Sequence, residues 1–200
     1  PEICNGDAAP VGRMPYLAAR SQAQIRVFVS SPVDLRPERL RVIRVCRRLG
    51  LVMGIDVVPL LWEGGGPENP TILPFPPDIP GTGAQAVVDE HVWQKLGGYD
   101  IYLGLIWRRM GTPTAAWRSG TEAELRFALE MRERTGRPSP ILFYRKSSTG
   151  DSGDHGGSDQ LDQVRAFVAW LEAQGLYQRF ADAEDLEEQL FSHLAVEASG

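Results

Sequence analysis

The chain has 200 residues, 42% of them hydrophobic and 24% charged, and carries a formal net charge of -5. This suits one domain with a buried core and excludes the polar, charge-rich make-up of a disordered protein. The acidic balance argues against a direct nucleic-acid partner; no run approaches the roughly 18 apolar residues of a membrane span and no signal peptide is legible, so a cytoplasmic location is expected.

Residues 1–23 show no sustained periodicity and read as an irregular leader or the tail of a preceding module, since the chain begins on Pro1 rather than Met. Ile25-Arg26-Val27-Phe28-Val29 predicts a first strand that stops at Ser30-Ser31-Pro32. A helix is predicted from Arg36 to Leu49. Pro37 suits its first turn, Leu40, Ile43, Cys46 and Leu49 recur along one side, and Gly50 closes it. The arginines between Arg36 and Arg48 alternate with that stripe and read as its solvated side. Cys46 is expected as a buried free thiol; with Cys4 it forms no CxxC pair and no disulfide framework.

Asp56 to Trp62 predicts a second strand. Residues 64–83 hold three consecutive glycines and six prolines, and are read as a long surface loop, either a lid or a tolerated insertion. A helix over 84–96 ends at Gly97-Gly98. Tyr99 to Trp107 (YDIYLGLIW) is the most apolar strand, expected to be central and covered on both faces. Then come a helix over 121–134, a strand over 140–144 and a segment, 147–159, flexible by composition. Leu161, Val164, Phe167, Val168 and Leu171 mark an amphipathic helix. Tyr177 to Phe180 reads as an edge strand, and Leu186, Leu190, Phe191 and Leu194 mark a final helix. The alternation predicts a flavodoxin-like three-layer α/β sandwich, a single domain over 24–197 with a mostly parallel sheet of about five strands. Ligands of such sheets bind at the carboxyl ends of strands, near the reversal of strand order. The residues after Val29, Trp62, Trp107 and Tyr144 therefore matter most.

Ser119-Gly120-Thr121-Glu122-Ala123-Glu124-Leu125 contains two overlapping capping boxes, Ser119 with Glu122 and Thr121 with Glu124. Either glutamate can simply cap the helix. Glu124, one step before apolar Leu125 and close to the sheet end, is also placed to act as a nucleophile or to stabilise an oxocarbenium ion on a ribose. Gly120 would let a sugar approach the backbone. After the central strand, Arg109 is suited to phosphate and Trp107 to stacking on a ring, against the alternative of a buried tryptophan beside solvated arginines. Ser30 and Ser31 offer hydroxyls and N–H groups to phosphate or ribose, or else form a turn. Trp62-Glu63 either cradles an adenine ribose or packs in the core. Gly81-Thr82-Gly83-Ala84-Gln85-Ala86 fits a loose dinucleotide fingerprint but follows a proline-rich loop instead of a strand, and is discounted. His91, His155 and His193 are too scattered for a metal site or a triad.

IRVFVSS (Ile25 to Ser31), LLWE (Leu60 to Glu63), YDIYLGLIWRRMGT (Tyr99 to Thr112), SGTEAELRFAL (Ser119 to Leu129) and PILFYR (Pro140 to Arg145) occur in a specific order and spacing. Together they resemble the TIR-like domain found at the front of bacterial STAND and NACHT-type NTPases. The resemblance runs from Ile25 to Arg145 and weakens beyond. That family is similar to TIR domains and to nucleoside 2-deoxyribosyltransferases, whose Gly-Thr-x-x-Glu glutamate attacks an anomeric carbon; Gly120, Thr121 and Glu124 match it. TIR NADases carry a glutamate on the corresponding helix followed by Leu or Ile, as Glu124-Leu125 is. The resemblance implies cleavage of an N-glycosidic bond, above all in NAD, giving nicotinamide and ADP-ribose or a cyclic form. Ser119 stands where the transferases often have aspartate and Arg126 where they often have glycine, which argues against small free nucleosides. Nicotinamide leaves as a neutral molecule from a cationic ring, so no general acid is required.

The expected site is thus Glu124 as the catalytic carboxylate, with Ser30, Ser31 and Arg109 on phosphate or ribose. Trp107 or Trp62 would stack, and Ser119, Gly120 and Thr121 would line the pocket. NAD is the substrate, and no metal or further cofactor is expected. The resemblance also implies self-association, a C-terminal sensor or NTPase module and a role in anti-phage immunity. Two alternatives stay open: a non-catalytic association module and a nucleotide sensor.

Overall fold

Short runs rich in valine, isoleucine and aromatics form strands here, and 3.6-residue apolar periodicity forms helices between them. The computed structural model describes residues 24–61, 98–111, 119–147 and 158–199. In chain order these hold β1 (Gln24–Ser30), α1 (Arg36–Met53), β2 (Asp56–Leu61), β3 (Ile101–Ile106), α2 (Gly120–Thr135), β4 (Ile141–Lys146), α3 (Ser158–Ala173), β5 (Gln178–Phe180) and α4 (Ala183–Ala198). The strands lie in the order β2-β1-β3-β4-β5 and every pairing is parallel. This is the flavodoxin-like α/β sandwich that the alternation of elements predicts.

Side chains of successive strand residues point to opposite faces, and each face has its own core. Val27, Val29, Val57, Leu61, Ile101, Leu103 and Leu105 pack with α1 and α4. Phe28, Leu60, Tyr102, Ile106 and Phe143 pack with α2 and α3. β3, third in the order, is buried along its whole length, as a strand covered on both sides must be. Pro59 lies in β2, at the end of the strand order, where a missing N–H is tolerated. Gly104 in β3 is required by its neighbour: a Cβ there would lie 2.3 Å from the buried Phe143 ring of β4.

The first helix differs from expectation. α1 runs through Gly50 and ends at Met53, with Gly54 as a left-handed cap at φ 67°. Gly50 serves close approach instead of termination, because a Cβ there would meet the Ile55 carbonyl at 2.9 Å. The buried stripe is Val42, Ile43, Val45, Cys46 and Leu49, while Leu40 is exposed. Four to a turn and a half, this stripe is wider than a strict every-third pattern, as a helix covering a sheet demands. Most of the arginines are solvated, but Arg39 is buried. At the other end of the chain, α3 already includes Ser158 and Asp159, and Ser147 is tied by its N–H and Oγ to the Phe180 carbonyl; the rest of the segment expected to be flexible, 148–157, lies outside the described residues. Residues 1–23, Trp62, Glu63, the loop 64–83 and the helix predicted over 84–96 lie outside the described residues. No helix among the described residues is long and apolar enough to cross a membrane.

Candidate functional site

In the order β2-β1-β3-β4-β5 the chain turns one way from β1 to β2 and the other way from β3 onward. The reversal falls between β1 and β3, and the crevice above their carboxyl ends is where such a sheet binds ligands. Ser30, the last residue of β1, aligns with Gly104 of β3 at this point. Ser30 is fully buried, and its Oγ donates a hydrogen bond to Oε2 of Glu124.

The start of α2 explains why Glu124 is available for this contact. Ser119 is the N-cap, and its Oγ accepts from the Glu122 N–H at 3.1 Å. Only the first of the two overlapping capping boxes therefore supplies the cap, and Thr121 is already within the helix. Ser119, also expected to line the pocket, is buried, with its hydroxyl engaged in this cap. Glu122, itself 8% exposed, pairs instead with Arg126, whose Nε lies 3.0 Å from Oε1, and Arg126 also covers Trp170. Two positions on, about 200° around the helix, Glu124 faces the sheet. It is 8% exposed, between buried Ala123 and Leu125. The positive end of α2 favours a carboxylate there.

Below the Ser30–Glu124 contact, toward the amino ends of β1 and β3, this face of the sheet is aromatic. Phe28 stacks on Tyr99 with ring centroids 4.9 Å apart, and Tyr102 lies 6.0 Å from Phe28. The Tyr102 hydroxyl is fully buried and close to the Ser30–Glu124 pair, without a hydrogen bond of good geometry among the described residues. Burial first, and then the Glu124 charge, hold this phenol far above its ordinary value, with the Ser30 hydroxyl pulling the other way. Tyr102 is thus a neutral donor beside the carboxylate.

The other expected residues are distributed around this centre. Ser31 follows Ser30 and carries a buried Oγ with no hydrogen-bond partner among the described residues. Gly120 has open space where a Cβ would stand, and Thr121 is buried at the head of α2 near Gly111. Arg109 is exposed, and its charge acts on Asp34 at the approach to α1. Burial raises the Asp34 carboxyl above its ordinary value; its own N–H, that of Arg108 and the Arg109 charge oppose this, while Glu38 adds to it. Trp107 packs against the α1 and α4 core, and its ring carries the Arg108 guanidinium at 4.2 Å and the Lys146 ammonium at 4.7 Å. Lys146 is also paired with buried Glu38.

Sequence reasoning passed over a group at the ends of β4 and β5. Arg145, Lys146, Ser147, Tyr177 and Arg179 line a cavity with Trp107 and Arg108. The available signal was the Arg-Lys pair closing the PILFYRK strand, at a position where loop residues of such folds meet ligands. Among the described residues no group of three or more His, Cys, Asp or Glu side chains is arranged to hold a metal ion. His193 lies on the α4 side, hydrogen-bonded to Tyr144. In comparisons with known proteins the chain matches no protein-family model and no curated protein.

Proposed function

We propose that this domain is a TIR-like effector that hydrolyses the N-glycosidic bond of NAD, with Glu124 as the catalytic carboxylate. The observation that carries the reading is the hydrogen bond from Ser30 to Glu124 at the reversal of strand order. It orients an acid of the second helical turn into the crevice where a ligand's sugar would lie. The bond between the ribose C1 carbon and the nicotinamide nitrogen breaks, and its electron pair neutralises the pyridinium. The carboxylate stabilises the positive charge left on the sugar, directly or by bonding to C1. Water then adds, giving ADP-ribose and a proton. The partners that fit this reading are NAD, further copies of the domain and a C-terminal sensor or NTPase module.

Nicotinamide release from NAD by the purified chain, measured at high protein concentration, tests the proposal. Glu124→Gln keeps the shape and the contact with Ser30 but removes the charge, and is expected to lower turnover by about two to three orders of magnitude. Wild-type turnover in that variant would refute the assignment.

A second reading, association without catalysis, is favoured by one feature. Leu51, Val52 and Val196 are 86, 68 and 72% exposed. Arg41 of α1 meets Glu184 and Glu187 of α4, and Arg48 lies over Phe191, so the two helices run side by side in the same direction. The three apolar residues therefore lie toward the carboxyl ends of the two helices, on the opposite side of the sheet from Glu124. Under this reading Leu51→Asp abolishes concentration-dependent sedimentation, and no NAD turnover is found in any form of the protein.

A further inference from the structure

The cavity at the carboxyl ends of β3, β4 and β5 has a volume of about 180 Å³. Its walls bring together four cations, Arg108, Arg145, Lys146 and Arg179, and among the described residues its lining holds no carboxylate, in a chain of net charge -5. Ser147 and Tyr177 also line it, the Ser147 hydroxyl bonded to the Phe180 carbonyl and the Tyr177 hydroxyl accepting from Arg179 Nε. Lys146 and Arg179 are each balanced from outside the cavity, by Glu38 and by Glu172. The side chain of Arg145 makes no hydrogen bond or ion pair with the described residues, and its Nε is buried without a partner among them. Arginine does not shed its charge on burial, so an unmatched guanidinium at a concave site calls for an anion.

Size and position narrow the anion. Pockets that enclose whole small-molecule ligands run to about 300 Å³ and more, so this one takes a group instead of a complete nucleotide. Phosphate oxygens match the donor fork of arginine, and two of the cations are steadied on the Trp107 ring. Arg145 aligns with Ile106, two residues beyond the Gly104 that aligns with Ser30. With strands about 4.8 Å apart and a rise of about 3.3 Å per residue, the Ser30 and Arg145 backbones are separated by about 12 Å.

We propose that this cavity is a binding site for the phosphate or diphosphate of a nucleotide-class ligand. The assignment stands on the cavity itself and does not require Glu124 to be catalytic.

Calorimetric titration of the full chain with pyrophosphate and with ADP-ribose, at low and at physiological salt, tests it. Pyrophosphate is expected to bind, more weakly as salt screens the cations. Arg145→Gln is expected to weaken it about tenfold or more, and Arg179→Gln, at an exposed side chain that folding does not need, by a smaller factor. Glu124→Gln should leave pyrophosphate affinity unchanged, whatever it does to nicotinamide release, so the two proposals fail separately. ADP-ribose binding tighter than pyrophosphate, with the advantage lost in Ser30→Ala, would support the site and assign the anion to the ligand whose sugar lies at Glu124. Equal affinities would support it as the site of a separate phosphate. No pyrophosphate binding, or binding indifferent to both arginine substitutions, overturns the proposal.

Discussion

Ser30→Ala is the perturbation that bears most directly on the crevice. Ser30 is fully buried and donates to Glu124, so the substitution removes one oxygen and withdraws one donor from a buried carboxylate. A hydrogen bond to a charged group contributes about 1.5–3 kcal/mol, and the residual void is too small to add much. Glu124 has further interactions, which places the expected loss near the middle of that range, about 2 kcal/mol. For a domain of this size that corresponds to a fall in Tm of about 4–8 °C. In a Glu124→Gln background the bond becomes neutral to neutral and the same serine substitution should cost about 1 kcal/mol. A double-mutant cycle by urea denaturation of the full chain therefore has an expected coupling of about 1 kcal/mol. If the two substitutions add to within experimental error, the serine does not hold the carboxylate, and the orientation on which the proposed chemistry rests is wrong. A parallel loss of kcat, greater than any rise in KM, is expected in Ser30→Ala, because the serine acts by aiming the acid.

Gly104→Ala should destabilise by about 3 kcal/mol or more, since the new methyl meets a fully buried ring; Phe143→Leu in the same chain should recover part of that loss in thermal melts. Ser119→Ala removes the α2 cap and is expected to cost about 1 kcal/mol in urea unfolding. Burial pushes the Cys46 thiol from 9.0 up to about 12. The folded state therefore keeps its proton where the unfolded chain has lost it. Stability from this group is complete below pH 9 and declines between pH 9 and about 12, by about 1.4 kcal/mol per pH unit, a slope that Cys46→Ala should remove. In a Cys4→Ser chain the remaining thiol should resist iodoacetamide at pH 8 until denaturant is added.

Local chemistry was enough to place the elements. The valine and isoleucine runs of β1 and β3 and the periodic stripes of α3 and α4 act within a few residues of themselves, so they are legible without a fold. Their alternation implied crossover connections, hence a parallel sheet, hence a site at the strand ends. The errors were also local in kind. Gly50 reads as a stop because glycine ends helices, yet here it makes room for the Ile55 carbonyl, an atom brought near only when the chain turns into β2.

What the sequence by itself determined was that an acid-bearing helix start and a pair of serines would both lie at the carboxyl edge of an α/β sheet. Only the tertiary structure decided that Glu124 meets Ser30 while Glu122 pairs with Arg126. Ser30 and Glu124 are 94 positions apart, and their contact depends on β1 and β3 being neighbours. That neighbourhood is chosen by the two cores as a whole, not by any residue near either partner. The cationic cavity has the same origin, since Arg108, Arg145 and Arg179 come from three separate strand ends. Periodicity is written along the chain, whereas charge meets charge across it.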